Sequence, residues 1–333
     1  MKTHLNSSVC MMIAILTVLF SCNGIARENK TPTITKTFDL DQPGILNAKS
    51  SGGGIEVKVN DQPKVVVQVF IRKNGRILSP SDPAVSDILE NFNLDIGKNG
   101  SVITANVERK MRFSFLKNVG ISLTIIVPRE MSCNVSSSGG GVKISGVAGT
   151  HNFSSSGGGV RLENVTGITK ASSSGGGVKV TNQNGDVQLS SSGGGVTLNE
   201  AHGNVFAHSS GGGVHLNNIH GDVEARSSGG GVGITGEAGA VKAKSSGGSV
   251  RVNLTRLSKE LYLESSGGGV DAVIKNGDQL GLDLDLSSER VNIDLQNFSG
   301  KAEKNRVKGT MNNGGIPVHM RASGGSVNVR FED

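Results

Sequence analysis

The chain contains no tryptophan and a single tyrosine, and aromatic residues make up 3% of its 333 positions. Aromatic side chains supply much of the buried area in a broad globular core. A core built here is therefore thin, assembled from Val, Leu, Ile and Ala. The same scarcity leaves no aromatic interleaving for stacked bases or sugar rings. Cysteine is nearly missing too, with Cys10, Cys22 and Cys133 the only three. Cys10 falls in an N-terminal apolar run and Cys22 is spoken for if lipidated, so Cys133 stands alone and no disulfide framework staples the fold. The longest apolar run covers residues 9–20 and is broken only by Thr17. With Lys2 before it, that run is too short for a comfortable membrane span and reads as a secretory leader.

Charge of either sign is modest, with 34 Lys+Arg against 28 Asp+Glu. Removing residues 1–21 takes away only Lys2, so the formal +6 becomes +5. An excess of that size is no nucleic-acid signature, and no nucleic acid is expected as a partner. The leader ends LFSCNG. Leu19, Phe20, Ser21 and Cys22 resemble a bacterial lipoprotein box, with Phe20 a less usual residue in it. Cys22 would then carry the lipid and tether an exported protein at the outer membrane, periplasm or cell surface. Cleavage after Ala26 by the ordinary signal peptidase is the alternative.

What the chain does have is glycine, 49 residues of it, arranged with great regularity. Triplets or near copies begin at Gly139, Gly157, Gly175, Gly193, Gly211, Gly229 and Gly247, each eighteen after the last. Another at Gly267 follows a gap of twenty, and cousins sit at Gly52 and Gly324. Low-complexity disorder would suit the composition, but hydrophobic residues reach 35% and recur at fixed positions. Fixed self-similarity at this period signals a solenoid. Within each unit apolar residues two apart, such as Val187 and Leu189, mark short strands with one buried face. Glycine supplies the corners between them. The expectation is an all-β, single-stranded β-helix with 18-residue coils made of two nine-residue halves.

Stacking in register would place Val142, Val160, Val178, Val196, Val214, Val232 and Val250 in one internal column. Seven coils at the strand spacing give a rod section of about 34 Å. Gly149, Gly167, Gly185, Gly203, Gly221 and Gly239 would mark the corner before the second strand. The serine pairs before each triplet would form hydroxyl ladders along the axis. Two nine-residue sides suit this sub-repeat, and a triangle with a minor third side is the alternative. The chain divides into a leader (1–21), a β-rich N-terminal cap with first coils (22–135), the regular solenoid (136–270) and C-terminal coils with a cap (271–333). A short helix is expected over 84–92, after Pro and Asp.

A secretory leader, the early SGGGIEV strand, the ISLTIIVP run and the GGGVxΦ…GDV repeats together resemble the bacterial putative-adhesin family. Its members are β-strand-repeat proteins carrying a domain of unknown function, related to the head domains called auto-transporter adhesins. The similarity covers roughly residues 38–331. It implies a β-solenoid at the cell envelope and carries over no catalytic residue.

Several chemistries can be weighed directly. Calcium β-rolls need an aspartate in successive turns, but only Asp186 and Asp222 follow a corner glycine in the regular coils. Phosphate-cradling loops feed a helix N-terminus, whereas these loops feed strands. His202 and His220 share a repeat position without a metal-ligand set around them. A nucleophile needs a base and an oxyanion site in a pocket, and thin coils leave little room. Asp283 and Asp285, two apart on one strand, read as an outward, solvated pair. No enzyme activity, metal or cofactor is expected. One feature stands out: the position after each recurring Val points outward and reads Lys143, Arg161, Lys179, Thr197, His215, Gly233, Arg251. Like charges on neighbouring strands are destabilising unless solvent or an anionic partner offsets them. Lys143, Arg161, Lys179 and Arg251 are therefore the candidate binding residues, with acidic glycan or another envelope polymer as the partner.

Overall fold

The computed structural model describes residues 31–40, 43–110 and 118–332; the leader, Cys22 and Ala26 lie outside them. Each Val-x-apolar stretch forms a strand that pairs in parallel with its own copy in the next coil. Val142, Val160, Val178, Val196, Val214, Val232 and Val250 are successive partners. None of the seven is more than 2% exposed. Burying a valine stabilises by about 1.5 kcal/mol or more, but only if another coil lies above and below it. Repetition is thus a condition of stability, not an ornament of the sequence.

One coil shows how the chain turns. Residues Val178–Asn184 and Val187–Ser191 are its strands, and Val178, Val180, Gln183, Val187, Leu189 and Ser191 point inward. The two-residue alternation slips twice, at Asn182 (φ 58°) and at Gly185 (φ 113°). Both sit in the left-handed region, which asparagine tolerates and glycine enters freely. With the Ser-Gly corner these slips give three corners, so the coil has two long sides and a short third one. The inward column of the short side is Val147, Val165, Gln183, Ala201 and Ile219, all buried.

The Ser-Ser-Gly-Gly-Gly corner has a specific physical cause. Its buried serine donates a hydrogen bond to a glycine carbonyl in the coil before: Ser173 Oγ to Gly158, Ser191 to Gly176, Ser227 to Gly212, at 2.8–2.9 Å. The same hydroxyl accepts the N–H of its own middle glycine, as Gly230 N–H to Ser227 Oγ at 3.1 Å. The serines therefore satisfy buried backbone groups instead of bonding one another as a hydroxyl ladder. The glycines are needed because corners of neighbouring coils nearly touch. A Cβ on the middle residue, Gly194, would lie 2.5 Å from the Gly177 backbone nitrogen.

The two long sides stack into two parallel ladders, a first and a second sheet made continuous by strands such as Val160–Ser173 that run across both, and their ends are closed differently from their middle. At the N-terminal end, Ile34–Asp39 runs antiparallel to Lys64–Lys73, and Phe92–Asn99 antiparallel to Val102–Arg109. At the other end, Leu282–Ser287, Arg306–Met311 and Phe298–Ala302 form an antiparallel set. Such caps cover edges that would otherwise template further pairing. The helix is Ala84–Glu90, ending two residues before the expected limit because Phe92 opens a strand. Asp82 accepts the Ala84 N–H at 3.0 Å, and Val85 and Ile88 are its buried residues.

The apolar columns are interrupted by buried residues that are not aliphatic, among them Cys133, His151, Thr169 and Gln183. Cys133 is a free, buried thiol, pushed up to about 12 by burial alone, which leaves it a packing residue. His151 lies between Cys133 and Thr169 in the column that continues through Val187, Val205, Val223, Val241 and Leu261. It is 2% exposed, its Nδ1 has no hydrogen-bond partner, and burial holds its pKa below the ordinary 6.5. As pH falls the unfolded chain takes the proton first, so this histidine's share of stability is lost from about pH 6.5 downward until the folded pKa is passed. His151→Leu is expected to raise stability by about 1 kcal/mol at pH 7 and by more at pH 5. Urea unfolding at both pH values checks this; an equal pH slope in the two proteins would refute it.

Candidate functional site

The expected cation column exists as a geometric fact. Lys143, Arg161 and Lys179 are direct register partners on three successive strands, all exposed. The column continues through Thr197, His215 and Gly233 to Arg251. Arg251 therefore stands four coils beyond Lys179, about 19 Å along the axis, and does not join the other three. Both ends of the column meet acid: Glu56 lies 3.5 Å from Lys143, and Asp271 3.5 Å from Arg251. Among the described residues, Arg161 and Lys179 have no ion pair. The unpaired charge of this face is concentrated on those two adjacent rungs.

The other sequence candidates resolve into structural roles. Asp186 Oδ1 accepts the Asn204 N–H at 2.9 Å, Asn204 Oδ1 the Asp222 N–H at 3.2 Å, and Asp222 Oδ1 the Ala240 N–H at 3.0 Å. The corner Asp and Asn side chains thus tie one coil to the next. Lys259 Nζ, 2.7 Å from Asp222 Oδ2, holds that carboxyl below its ordinary range, helped by the Ala240 N–H. His202 and His220 stack face to face with centroids 4.7 Å apart and planes 5° from parallel. His220 Nδ1 lies 3.6 Å from Glu237. No group of three metal-ligating side chains occurs among the described residues. Asp283 accepts the Gly315 N–H and Asp285 pairs with Arg306 at 3.3 Å.

The second sheet holds what sequence reasoning missed. Its outward column Lys170, Gln188, Phe206, Glu224, Lys242 continues to Tyr262, which stacks on His319 with centroids 4.7 Å apart. Phe206 and Tyr262 thus stand three rungs apart in one outward column, with Tyr262 stacked on His319. Only the register could reveal this, because Phe206 and Tyr262 are 56 residues apart in sequence.

These features define a β-solenoid whose long faces present side chains in straight columns. The chain belongs to the Toastrack DUF4097 family, which matches residues 84–330. Among solved structures it is similar to a putative cell adhesion protein from Clostridium sporogenes, at 9% identity over 91% of this chain and 100% of that one, with a TM-score of 0.19. It is also similar to a putative adhesin from Bacteroides fragilis, at 11% identity over 89% and 96%, with a TM-score of 0.31. No curated protein matches the chain significantly. No helix among the described residues is long and apolar enough to cross a membrane.

Proposed function

We propose that the protein is a non-enzymatic envelope solenoid that binds an acidic glycan or similar anionic polymer along its first sheet. The observation that carries this reading is the register of Lys143, Arg161 and Lys179 on adjacent strands, with the last two free of ion pairs among the described residues. Rungs about 4.8 Å apart let weak contacts add along a repeating ligand, while Arg251 gives an outlying contact. Export follows from the leader, and Cys22 as lipid anchor from the LFSC run; Cys22→Ala should move the protein to the aqueous phase of a detergent extraction. The rival reading, an assembly scaffold, needs open strand edges. One is present: Val327–Glu332 is paired on its outer side only at Val327 and Asn328.

Chromatography on immobilised alginate tests the binding reading. The protein should be retained at low salt and released as salt rises, and the triple variant K143E/R161E/K179E should not be retained. R161E alone should weaken retention while raising stability by about 0.2–1 kcal/mol, because it replaces like-charge neighbours with opposite ones. Lost binding with gained stability excludes misfolding as the cause. Unchanged retention of the triple variant would sink the reading.

A further inference from the structure

The geometry points to a second binding site, on the second sheet, that takes an uncharged sugar ring of a polysaccharide with Phe206 as its platform. A trough of about 670 Å³ runs along the axis there, within the range of ligand-binding clefts, about 300–1,000 Å³. One wall is the corner column Ile168, Asp186, Asn204, Asp222 and Ala240. The other is the outward column that runs from Lys170 to Lys242, with Phe206 at its middle. Ile168, at one end, is 64% exposed, the most exposed large hydrophobic residue among those described. An exposed apolar residue at one end of a trough that carries an aromatic ring at its middle marks a surface for a ligand with an apolar face.

The polar groups around the ring decide the ligand's chemistry. Toward the far end the charges are already paired with one another: Asp222 with Lys259 at 2.7 Å, Lys242 with Glu260 at 3.1 Å, Glu224 with Arg226 at 2.6 Å. Of the charges lining the trough, only Lys170 and Asp186 have no ion pair among the described residues; they are of opposite sign, so the trough offers no net unpaired charge to a charged ligand. What remains unengaged beside Phe206 is hydrogen-bonding capacity. Gln188, one rung before the ring, makes no side-chain hydrogen bond among the described residues. Asn204 spends its Oδ1 on the Asp222 N–H and keeps its amide N–H groups. Asp186 spends one carboxylate oxygen on the Asn204 N–H and keeps the other. Donors and acceptors around an aromatic face match a pyranose ring, which offers an apolar C–H face and a rim of hydroxyls. A purely apolar ligand would cover the ring but leave those groups without partners, at a cost of about 1–3 kcal/mol each.

This site lies on the opposite sheet from the cation column and does not depend on the anionic-polymer reading. Affinity electrophoresis of the full chain through native gels cast with dextran, mannan, galactomannan or mixed-linkage β-glucan tests it. At least one of these neutral polymers should retard the protein. Phe206→Ala should weaken that retardation about tenfold, and Phe206→Trp should keep or strengthen it. K143E/R161E/K179E should migrate like the unaltered protein in the same gels. Thermal melts monitored by circular dichroism establish that Phe206→Ala stays folded. The proposal is overturned if no neutral polymer retards the protein, if Phe206→Ala is retarded as strongly, or if the charge-reversal variant loses the retardation. It is equally overturned if a fluorescent apolar peptide, and no polysaccharide, binds in a Phe206-dependent manner.

Discussion

Gly194→Ala is expected to destabilise the solenoid by at least about 3 kcal/mol, although it adds one methyl group near the surface. The new Cβ would lie 2.5 Å from the Gly177 nitrogen, 2.7 Å from the Gly177 Cα and 2.8 Å from the Gly176 carbonyl carbon. All three are backbone atoms of the coil before, so no flexible side chain can yield. That coil is held in register on both long sides by parallel pairing, and separating the corners breaks those ladders locally. The neighbouring Gly195 provides the control. A Cβ there would lie 2.8 Å from the Gly213 carbonyl oxygen, but serine holds the same slot at Ser249 and Ser326 in the equivalent corners, which shows that the corner can shift to admit it, so Gly195→Ser should cost about 1 kcal/mol. Position along the rod matters as well, since solenoid stability is close to a sum of nearest-neighbour terms. Gly325→Ala, in the last corner, would meet the Gly269 nitrogen at 2.8 Å and strain a single interface. Urea unfolding followed by circular dichroism should rank the losses Gly194→Ala, then Gly325→Ala, then Gly195→Ser. Equal losses for the first and last would mean that the close approach of the corners is not what demands glycine.

Much of this arrangement is legible in the primary structure, because a solenoid repeats its constraints. The eighteen-residue period, the valine column and the corner glycines up to Gly221 all follow from the spacing, and each is found in place. The cation column follows from the same register. What escapes is whatever lacks a constant residue from coil to coil. The short third side is legible only as the alternative triangle, because its inward residue changes type from Val165 to Gln183, Ala201 and Ile219. His151 is hidden because its column is otherwise mostly aliphatic and nothing local marks it as buried. Phe206 is hidden for the complementary reason: a single aromatic in an outward column looks like an isolated surface residue until its neighbours at eighteen residues' distance are set beside it. The role of the serines is half legible. Their position in the corner can be read, but that their partners are glycine carbonyls fifteen residues earlier depends on the three-cornered path of the coil.

That role gives the second large effect, and it separates two serines adjacent in sequence. Ser227 is 4% exposed; its hydroxyl donates to the Gly212 carbonyl at 2.9 Å and accepts the Gly230 N–H at 3.1 Å. Ser227→Ala removes one oxygen and leaves two part-buried backbone groups without that partner, each costing up to about 1–3 kcal/mol. A total loss of roughly 2–4 kcal/mol is expected, less than the simple doubled maximum because water can enter a partly exposed corner. Ser228, next in the chain, is exposed, and Ser228→Ala should change stability by no more than about 0.5 kcal/mol. Composition, helix or strand propensity and charge are the same in the two variants, so only the buried hydroxyl can account for a difference. The double variant Ser209→Ala/Ser227→Ala adds a further distinction. Ser209 bonds the Gly194 carbonyl and the Gly212 N–H, and Ser227 the Gly212 carbonyl, so the two hydroxyls act on one shared glycine. Their losses should therefore be non-additive, whereas Ser137→Ala, whose hydroxyl serves Gly53 and Gly140, should add to either within about 0.5 kcal/mol. Strict additivity for the neighbouring pair would show that each corner stands alone, and the continuous rung of hydroxyls and glycine amides running up the rod would then have no energetic meaning.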